Sequence, residues 1–361
     1  MNKSHFPMTH KSLIPSLGLL FFVTACGNKA PSENNLTPPD ASLFPQQPLV
    51  TEPFTAAPAA RVFEDTIYVY AVTDLARSDS AGILRASELR VFSMPDTTEA
   101  VTDHGPAMHI GEVPWARSAL WSPDAVKNRD TYYLYFSGKD DKGIFRIGAA
   151  TSDRPHGPFV PETQPIAGTY SIAPSIFKDS DGSHYLYLGG LGEGQLQNWQ
   201  LGKFNPEDVF PDDNQPTVLP RVAKLNDDML SLAHPLTTVP LLDETGNLIN
   251  FGDAERRFYE ASWVHKHQGV YYFSWYSDSS RSLQYATSDS PYGPFQWQGK
   301  LMEPVFGGDT HHAIVEFSGR WYLFYHDASQ SSRAQLRNIK VAQLTHNDNG
   351  RIATVDTYLG D

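Results

Sequence analysis

One phrase recurs five times along this chain: an apolar strand, a short polar turn, then an aromatic strand. It reads ARVFEDTIYVYAV from Ala60, DAVKNRDTYYLYFSG from Asp124 and SIFKDSDGSHYLYLGG from Ser175. It returns as SWVHKHQGVYYFSWYS from Ser262 and AIVEFSGRWYLFYHD from Ala313. Each copy alternates apolar and polar positions and turns at Asp, Asn or Gly, the pattern of a β-hairpin. The copies start roughly 50 to 90 residues apart, a spacing that gives each hairpin its own small sheet and repeats the sheets radially. The pattern predicts an all-β chain folded as a β-propeller, in which ring closure protects the sheet edges. A second repeat agrees with this. ATSDRPHGPF from Ala150 and ATSDSPYGPF from Ala286 match at eight of ten positions, and each follows an aromatic hairpin, where the outer part of a blade belongs.

The 28 Lys and Arg residues are outnumbered by 41 Asp and Glu, for a formal net charge of −13. A nucleic-acid partner would call for a basic stripe, so this acidic balance argues against one. The 27 prolines and 26 glycines suit many short strands joined by tight turns. No long amphipathic helix is predicted, and no organic cofactor is indicated.

The chain holds one cysteine, Cys26, which excludes an intrachain disulfide. Lys3 and Lys11 precede the apolar run Leu17–Val23, and Thr24-Ala25-Cys26-Gly27 follows. This is the layout of a secretory signal, and the run is shorter than the ~20 residues of a membrane span. Val-Thr-Ala-Cys resembles a bacterial lipobox. The expected organisation is a signal peptide over residues 1–25, then a flexible tether over 26–50 with a lipid on Cys26, then one propeller over 51–361. The lipid anchor would hold the protein at a membrane, in the outer membrane or at the cell surface.

In a propeller the channel-lining groups gather at the starts of the inner strands. Five segments stand there: FTAAPAARVF at Phe54, LWSPDAV at Leu120, YSIAPSIF at Tyr170, RRFYEASWV at Arg256 and GGDTHHAIV at Gly307. With the GGLGEGQLQNW stretch ending at Trp199 and the LRNIKV stretch from Leu336, they resemble glycoside hydrolase family 43. The likeness runs from about Thr51 to the C-terminus. That family's fold is a five-bladed propeller, and its members cleave arabinose- and xylose-containing glycans, so the resemblance implies a pentose-containing glycan as partner.

The resemblance also implies an inverting mechanism with three carboxylates. An acid protonates the leaving oxygen, a base across a gap of about 6.5–9.5 Å from the acid activates water, and a third group tunes the acid. Glu260, in Phe-Tyr-Glu-Ala-Ser-Trp, matches the general acid. The family's base lies in an Ala-Asp-Pro motif, where this chain has Ala56-Ala57-Pro58. Its pKa-modulating carboxylate lies in an Ile-Asp-Pro motif, where this chain has Ile172-Ala173-Pro174. A methyl group can neither accept a proton nor repel a neighbouring charge, so hydrolysis should be crippled. Asp309 or Asp74 could supply a substitute base. Asp124 matches a structural or substrate-facing position. Arg337 could hold a sugar hydroxyl or a carboxylate network, and Trp121 and Trp199 could stack on sugars or pack in the core. His311 matches a channel histidine that in the family stands beside a water-coordinated Ca²⁺. The sequence therefore leaves two readings: a glycosidase with impaired catalysis, or a propeller that binds glycan without cutting it.

Overall fold

A computed structural model describes residues 40–74, 87–331 and 333–360. Cys26 and the signal-like run lie outside the described residues. Five sheets carry the fold, and each recurring phrase supplies the two innermost strands of one. Blade I runs outward through Thr55–Phe63, Thr66–Thr73, Glu88–Met94 and Thr102–His109. Blade II comprises Ser118–Asn128, Thr131–Lys139, Phe145–Ser152 and Val160–Pro161. In blade III the strands are Ser175–Lys178, His184–Leu188, Arg221–Lys224 and Thr237–Thr238. Blade IV has Glu260–His267, Val270–Ser277, Ser282–Ser288 and Phe295–Met302, with Leu241–Leu242 added in parallel at its outer edge. Blade V comprises His312–Phe317, Arg320–Asp327 and Asn338–Leu344. The innermost strands touch in the order I–II–III–IV–V–I, which closes the ring. The only helices among the described residues are single 3₁₀ turns.

The local chemistry explains the hairpins. Glu64-Asp65, Gln268-Gly269 and Ser318-Gly319 are two-residue loops with both φ angles positive. Such turns match the twist of paired strands. The aromatic second strands are buried on both faces, with Tyr70, Tyr135, Tyr187, Trp275 and Tyr325 fully enclosed. Buried hydroxyls find carbonyl partners, as Tyr135 does at Met229 (2.8 Å). The ATSD repeats span the third strands of blades II and IV and the turns toward their outer strands.

Residues 40–50 correct the expected tether boundary. Leu49 N–H donates to the Ile339 carbonyl (2.8 Å), and Pro48 bridges Lys340 in antiparallel register. Phe44 is buried against Phe306 and Tyr358. The segment completes the short sheet of blade V because an apolar anchor and an open strand edge meet there. The propeller therefore begins by Asp40.

Along the axis, one side chain crosses the channel. Arg61, on the inner strand of blade I, donates from Nε and Nη2 to the two Asp124 oxygens of blade II (2.9 and 2.6 Å). Nη2 also reaches the Ile176 carbonyl of blade III (2.6 Å), and the guanidinium lies 4.1 Å from the Trp263 ring of blade IV. Trp263 Nε1 in turn donates to the Ile314 carbonyl of blade V (3.0 Å). Asp124 accepts two further backbone amides, from Ala125 and Ile176, so its buried charge is fully hydrogen-bonded. Arg61→Ala strands that carboxylate and is expected to cost about 3–5 kcal/mol in urea unfolding. Arg61→Met combined with Asp124→Asn is expected to lose less.

Four histidines, three buried and His346 half-buried, stand in blades IV and V and just beyond. His265 and His346 share a 3.0 Å Nε2–Nε2 contact, and His346 stacks on His267 with ring centroids 4.2 Å apart. Burial, reinforced by neighbouring imidazoles, pushes His346 down to about 4 and His312 to about 3. Burial first, and then adjacent positive groups, hold His265 and His326 well below the ordinary 6.5. In the unfolded chain these groups take protons below about pH 6.5, whereas in the fold they resist. Between pH 6.5 and 4 the unfolded chain binds more protons, so stability falls as pH falls. The urea midpoint should therefore drop between pH 7.5 and pH 5, and an unchanged midpoint would contradict the neutral assignment.

Candidate active site

At one end of the channel a cavity of about 330 Å³ receives a residue from every blade. Ala57 faces it, whereas Arg61 to Phe63 on the same strand face a second cavity, which identifies that one as the other end of the channel. A shared backbone device aims the side chains at the entrance. The inner strands of blades I, II and IV carry a register shift near their starts. Beside these shifts, and at the entrance of blade III, non-glycine residues take positive φ: Ala57 (51°), Ala119 (60°), Ser122 (44°), Ala173 (57°) and Ala261 (62°). A bulge of this kind rotates one side chain away from the sheet alternation and toward the channel.

Glu260 is the first residue of its strand, just before the bulge of blade IV. Its side chain is 13% exposed, and Oε1 lies 3.6 Å from His311 Nε2 of blade V. Tyr259 walls this side, backed edge to face by the buried Tyr276 with centroids 6.2 Å apart. Burial, with the nearby Glu260 charge adding to it, pushes the Tyr259 phenol up to about 12, so it remains a neutral donor. Trp121 of blade II forms another wall.

Arg337 organises the opposite side. Its Nε and Nη2 bind both oxygens of Asp74 (3.0 and 2.9 Å), and its backbone amide adds a third bond to Asp74 (2.9 Å). Nη1 binds one oxygen of Asp309 (3.0 Å). Burial works against the guanidinium charge, but the Asp74 and Asp309 carboxylates outweigh it. The Asp74 side chain is 2% exposed, against 46% for Asp309. Of the two substitute-base candidates, Asp74 is committed on both oxygens, whereas Asp309 keeps one oxygen facing the cavity.

Behind them His326 joins blade I to blade V. Its Nδ1 accepts from the Ala57 amide (3.1 Å) and the His311 amide (3.4 Å). An imidazole that accepts at Nδ1 carries its proton on Nε2, and burial, with the positive Arg337 guanidinium beside it, keeps the ring uncharged. A chain Ala57–His326–His311–Glu260 thus spans the cavity between two blades that are not neighbours in the ring.

Ala57 is half-buried at the cavity wall, and its methyl is the only side-chain group it presents. Ala173 is 3% exposed and packs with Ala119, Phe145 and Ile172, and its amide donates to Ser137 Oγ (3.0 Å). Both alanines hold the left-handed conformation, which costs an L-residue about 1–2 kcal/mol and which Gly, Asn and Asp adopt most readily. The backbone at both positions therefore keeps a shape that suits aspartate better than the residue present.

Two residues with open alternatives take the structural one. Trp199 does not reach the cavity. It is buried in blade III, stacked on Tyr170 at 4.4 Å with Arg146 on the ring, because the loop before it turns the indole into the core. Asp124 lies in the channel, but Arg61 and two amides occupy its oxygens, so it faces no substrate. Glu193 was missed. It lines the cavity from the glycine-rich loop of blade III, where Gly190 and Gly194 press against Ile172 so closely that a Cβ would sit 2.6 and 2.8 Å from it. The Gly-x-Gly spacing of that loop was its only signal.

Calcium would find few protein donors in this cavity. Calcium takes six to eight oxygens. His311 offers one nitrogen, Asp74 and Asp309 are paired with Arg337, and among the described residues no three His, Cys, Asp or Glu side chains converge. Among the described residues there is thus no direct protein cage for the ion, whereas the water-coordinated ion implied beside His311 asks only for that imidazole.

Replacing Ala57 by Gly removes the left-handed penalty without adding a charge. Ala57→Gly is expected to raise unfolding stability by about 1 kcal/mol, read from the urea midpoint, and a loss of stability would contradict the assigned backbone.

Comparison with known proteins agrees with this geometry. The family model for glycosyl hydrolases family 43 matches residues 50–352. A xylosidase/arabinosidase of Bacteroides ovatus is 43% identical, over 85% of this chain and 97% of its own length. A xylosidase/arabinosidase of Humicola insolens is 44% identical, over 85% and 98%. The crystal structure of a family 43 enzyme from Xanthomonas citri complexed with xylotriose superposes with a TM-score of 0.85 at 45% identity, covering 88% of this chain and 96% of that one. The five-bladed ring, the entrance cavity and these matches together make the chain a member of glycosyl hydrolases family 43, of the xylosidase/arabinosidase type.

Proposed function

We propose that this protein binds xylose- and arabinose-containing oligosaccharides in the entrance cavity and that its inverting hydrolysis is strongly impaired. The observation that carries the reading is a general-acid carboxylate, Glu260, facing a cavity whose base position, Ala57, presents a methyl. Inversion needs a base to take a proton from water on the face opposite the leaving group. Removing a positioned base typically slows such a reaction by about 10²–10⁴. The second alanine, Ala173, removes the charge that would help keep the acid protonated. Tyr259, Trp121, Glu193 and Arg337 remain to contact sugar, so glycan capture survives the loss of proton chemistry. Relatives named for xylosidase and arabinosidase activity support the pentose class.

One observation favours a second reading. Asp309 is half-exposed, with one oxygen uncommitted, and could accept the water proton in place of an aspartate at position 57. We also propose that residues 1–25 form a signal, that Cys26 carries the lipid, and that the propeller is held at the outer membrane or cell surface. The charged start, short apolar run and sole cysteine support this placement, and labelling with radioactive palmitate, lost in Cys26→Ser, tests it.

Activity on aryl β-D-xyloside and aryl α-L-arabinofuranoside decides between the readings of the cavity. Ala57→Asp with Ala173→Asp is expected to raise kcat/KM by about 10² or more, and adding Glu260→Gln is expected to silence that gain. Turnover by the unaltered chain that matches the double variant would overturn the impairment. Residual turnover that disappears in Asp309→Asn, with xylobiose binding retained, would establish Asp309 as the base.

A further inference from the structure

We infer that the protein carries a second saccharide site, a groove between blades II and III that holds the carboxylate of a uronic acid borne on a pentose polymer. The choice of a pentose polymer rests on the proposed reading of the entrance cavity, whereas the preference for a carboxylate does not. The groove encloses about 1100 Å³ and shares no residue with the entrance cavity. Its charged residues are Arg146, on the third strand of blade II, and Arg221, which opens the third strand of blade III. The chain holds 41 Asp and Glu, yet none of them lines this groove. One stack of rings fixes both guanidinium groups. Arg146 lies 5.1 Å from the Trp199 ring, Trp199 stacks on Tyr170, and the Tyr170 hydroxyl accepts from Arg221 Nε (3.2 Å). Arg146 Nε also donates to Asp140 (3.1 Å), which stands outside the lining, and Nη1 approaches the Thr169 carbonyl (3.5 Å). Arg221 Nη1 donates to the Leu219 carbonyl. Among the described residues no carboxylate pairs with Arg221, and neither Nη2 group has a partner. Planar donors already held in place match a carboxylate at little further cost in freedom.

Around these donors the groove offers what a sugar needs besides its charge. Gly168 leaves its backbone bare, since a Cβ there would meet only Leu232, at 3.9 Å. Thr238 presents an exposed hydroxyl-bearing side chain. Leu201 is fully exposed at the tip of the Trp199–Phe204 hairpin, and Leu232 and Leu236 are half-buried. These apolar groups suit the CH faces of pyranose rings, a task the indole cannot share because Tyr170 and Arg146 already take its ring. An inorganic anion would use the guanidinium groups alone, and a flat bilayer does not enter a concave groove. The lining therefore favours an acidic saccharide. The entrance cavity has the opposite balance, with Asp74, Glu193, Glu260 and Asp309 set against Arg337. Like charge turns a uronate away there, so neutral pentose units and acidic side groups are sorted to separate places.

The test is affinity electrophoresis of the full chain through gels holding glucuronic-acid-substituted xylan, or the same polymer with its carboxyl groups reduced to alcohols. Binding of xylobiose is measured in parallel by calorimetry. The acidic polymer is expected to bind about tenfold more tightly than the reduced one, and added salt should narrow the gap. Arg221→Gln is expected to erase the difference while xylobiose binding and the urea midpoint stay unchanged. Equal retardation by the two polymers would overturn the inference without recourse to any variant. A difference that survives in Arg221→Gln would overturn it as well. So would displacement of the acidic polymer by inorganic phosphate, or by phosphatidylglycerol vesicles, at a lower concentration than by glucuronic-acid-bearing xylotriose. The first result would assign the groove to free anions and the second to a lipid headgroup. Loss of xylobiose binding with the acidic preference intact would remove the reading of the entrance cavity and leave the groove standing.

Discussion

The structure depends on one partly buried cation at the axis. Arg61 stands in an otherwise apolar inner strand, between Ala60 and Val62, and its guanidinium joins Asp124, the Ile176 carbonyl and the Trp263 face. Through the Trp263 indole the same chain of contacts extends to blade V. Five sheets packed by apolar faces alone have little to fix their mutual rotation. A planar, multidentate group at the axis supplies directional bonds where the blades converge. It also separates the functions of the two ends, since the cavity carrying Glu260 lies beyond it at one mouth of the channel.

The entrance shows how a fold can keep a catalytic shape without the catalytic atoms. The bulges at the starts of the inner strands belong to the sheet geometry. They recur at Ala57, Ser122 and Ala261, whatever side chain each carries. An alanine placed at such a point inherits the backbone conformation with no polar atom to use it. The resulting strain is local and modest, and the large apolar sheets behind it absorb the penalty. Arg337, Asp74 and His326 form a hydrogen-bonded frame that ties blade I to blade V without either missing carboxylate.

Much of this was legible in the chain. The hairpin phrases gave the blade count because strand alternation and turn chemistry are local properties, carried by neighbouring residues. Glu260, Ala57, His311, Arg337 and Asp309 all reach one cavity because each sits just before or beside a hairpin, where the topology brings the blades together. Other residues escaped such reading. An indole at the end of a glycine-rich loop can turn outward or inward, and only packing against Tyr170 decides that Trp199 turns inward. Asp124 has a motif-like neighbourhood, but its partner lies 63 residues away in sequence. The segment at Phe44 looked like linker because a lone aromatic among prolines and glutamines carries no periodicity. Its role appears only once the open edge of blade V is in place.

That same edge has a temporal consequence. Asn338 bonds the carbonyls of Val50 and Thr51 across 288 and 287 residues of chain. During synthesis the segment that seals the ring emerges early and its partner strand late. At ~5–20 residues per second the seam stays open for roughly a quarter of a minute to a minute. Throughout that interval blade I presents a ring interface with no neighbour on one side. A propeller sealed by its own first residues thus stays exposed to mispairing until almost the whole chain has been made.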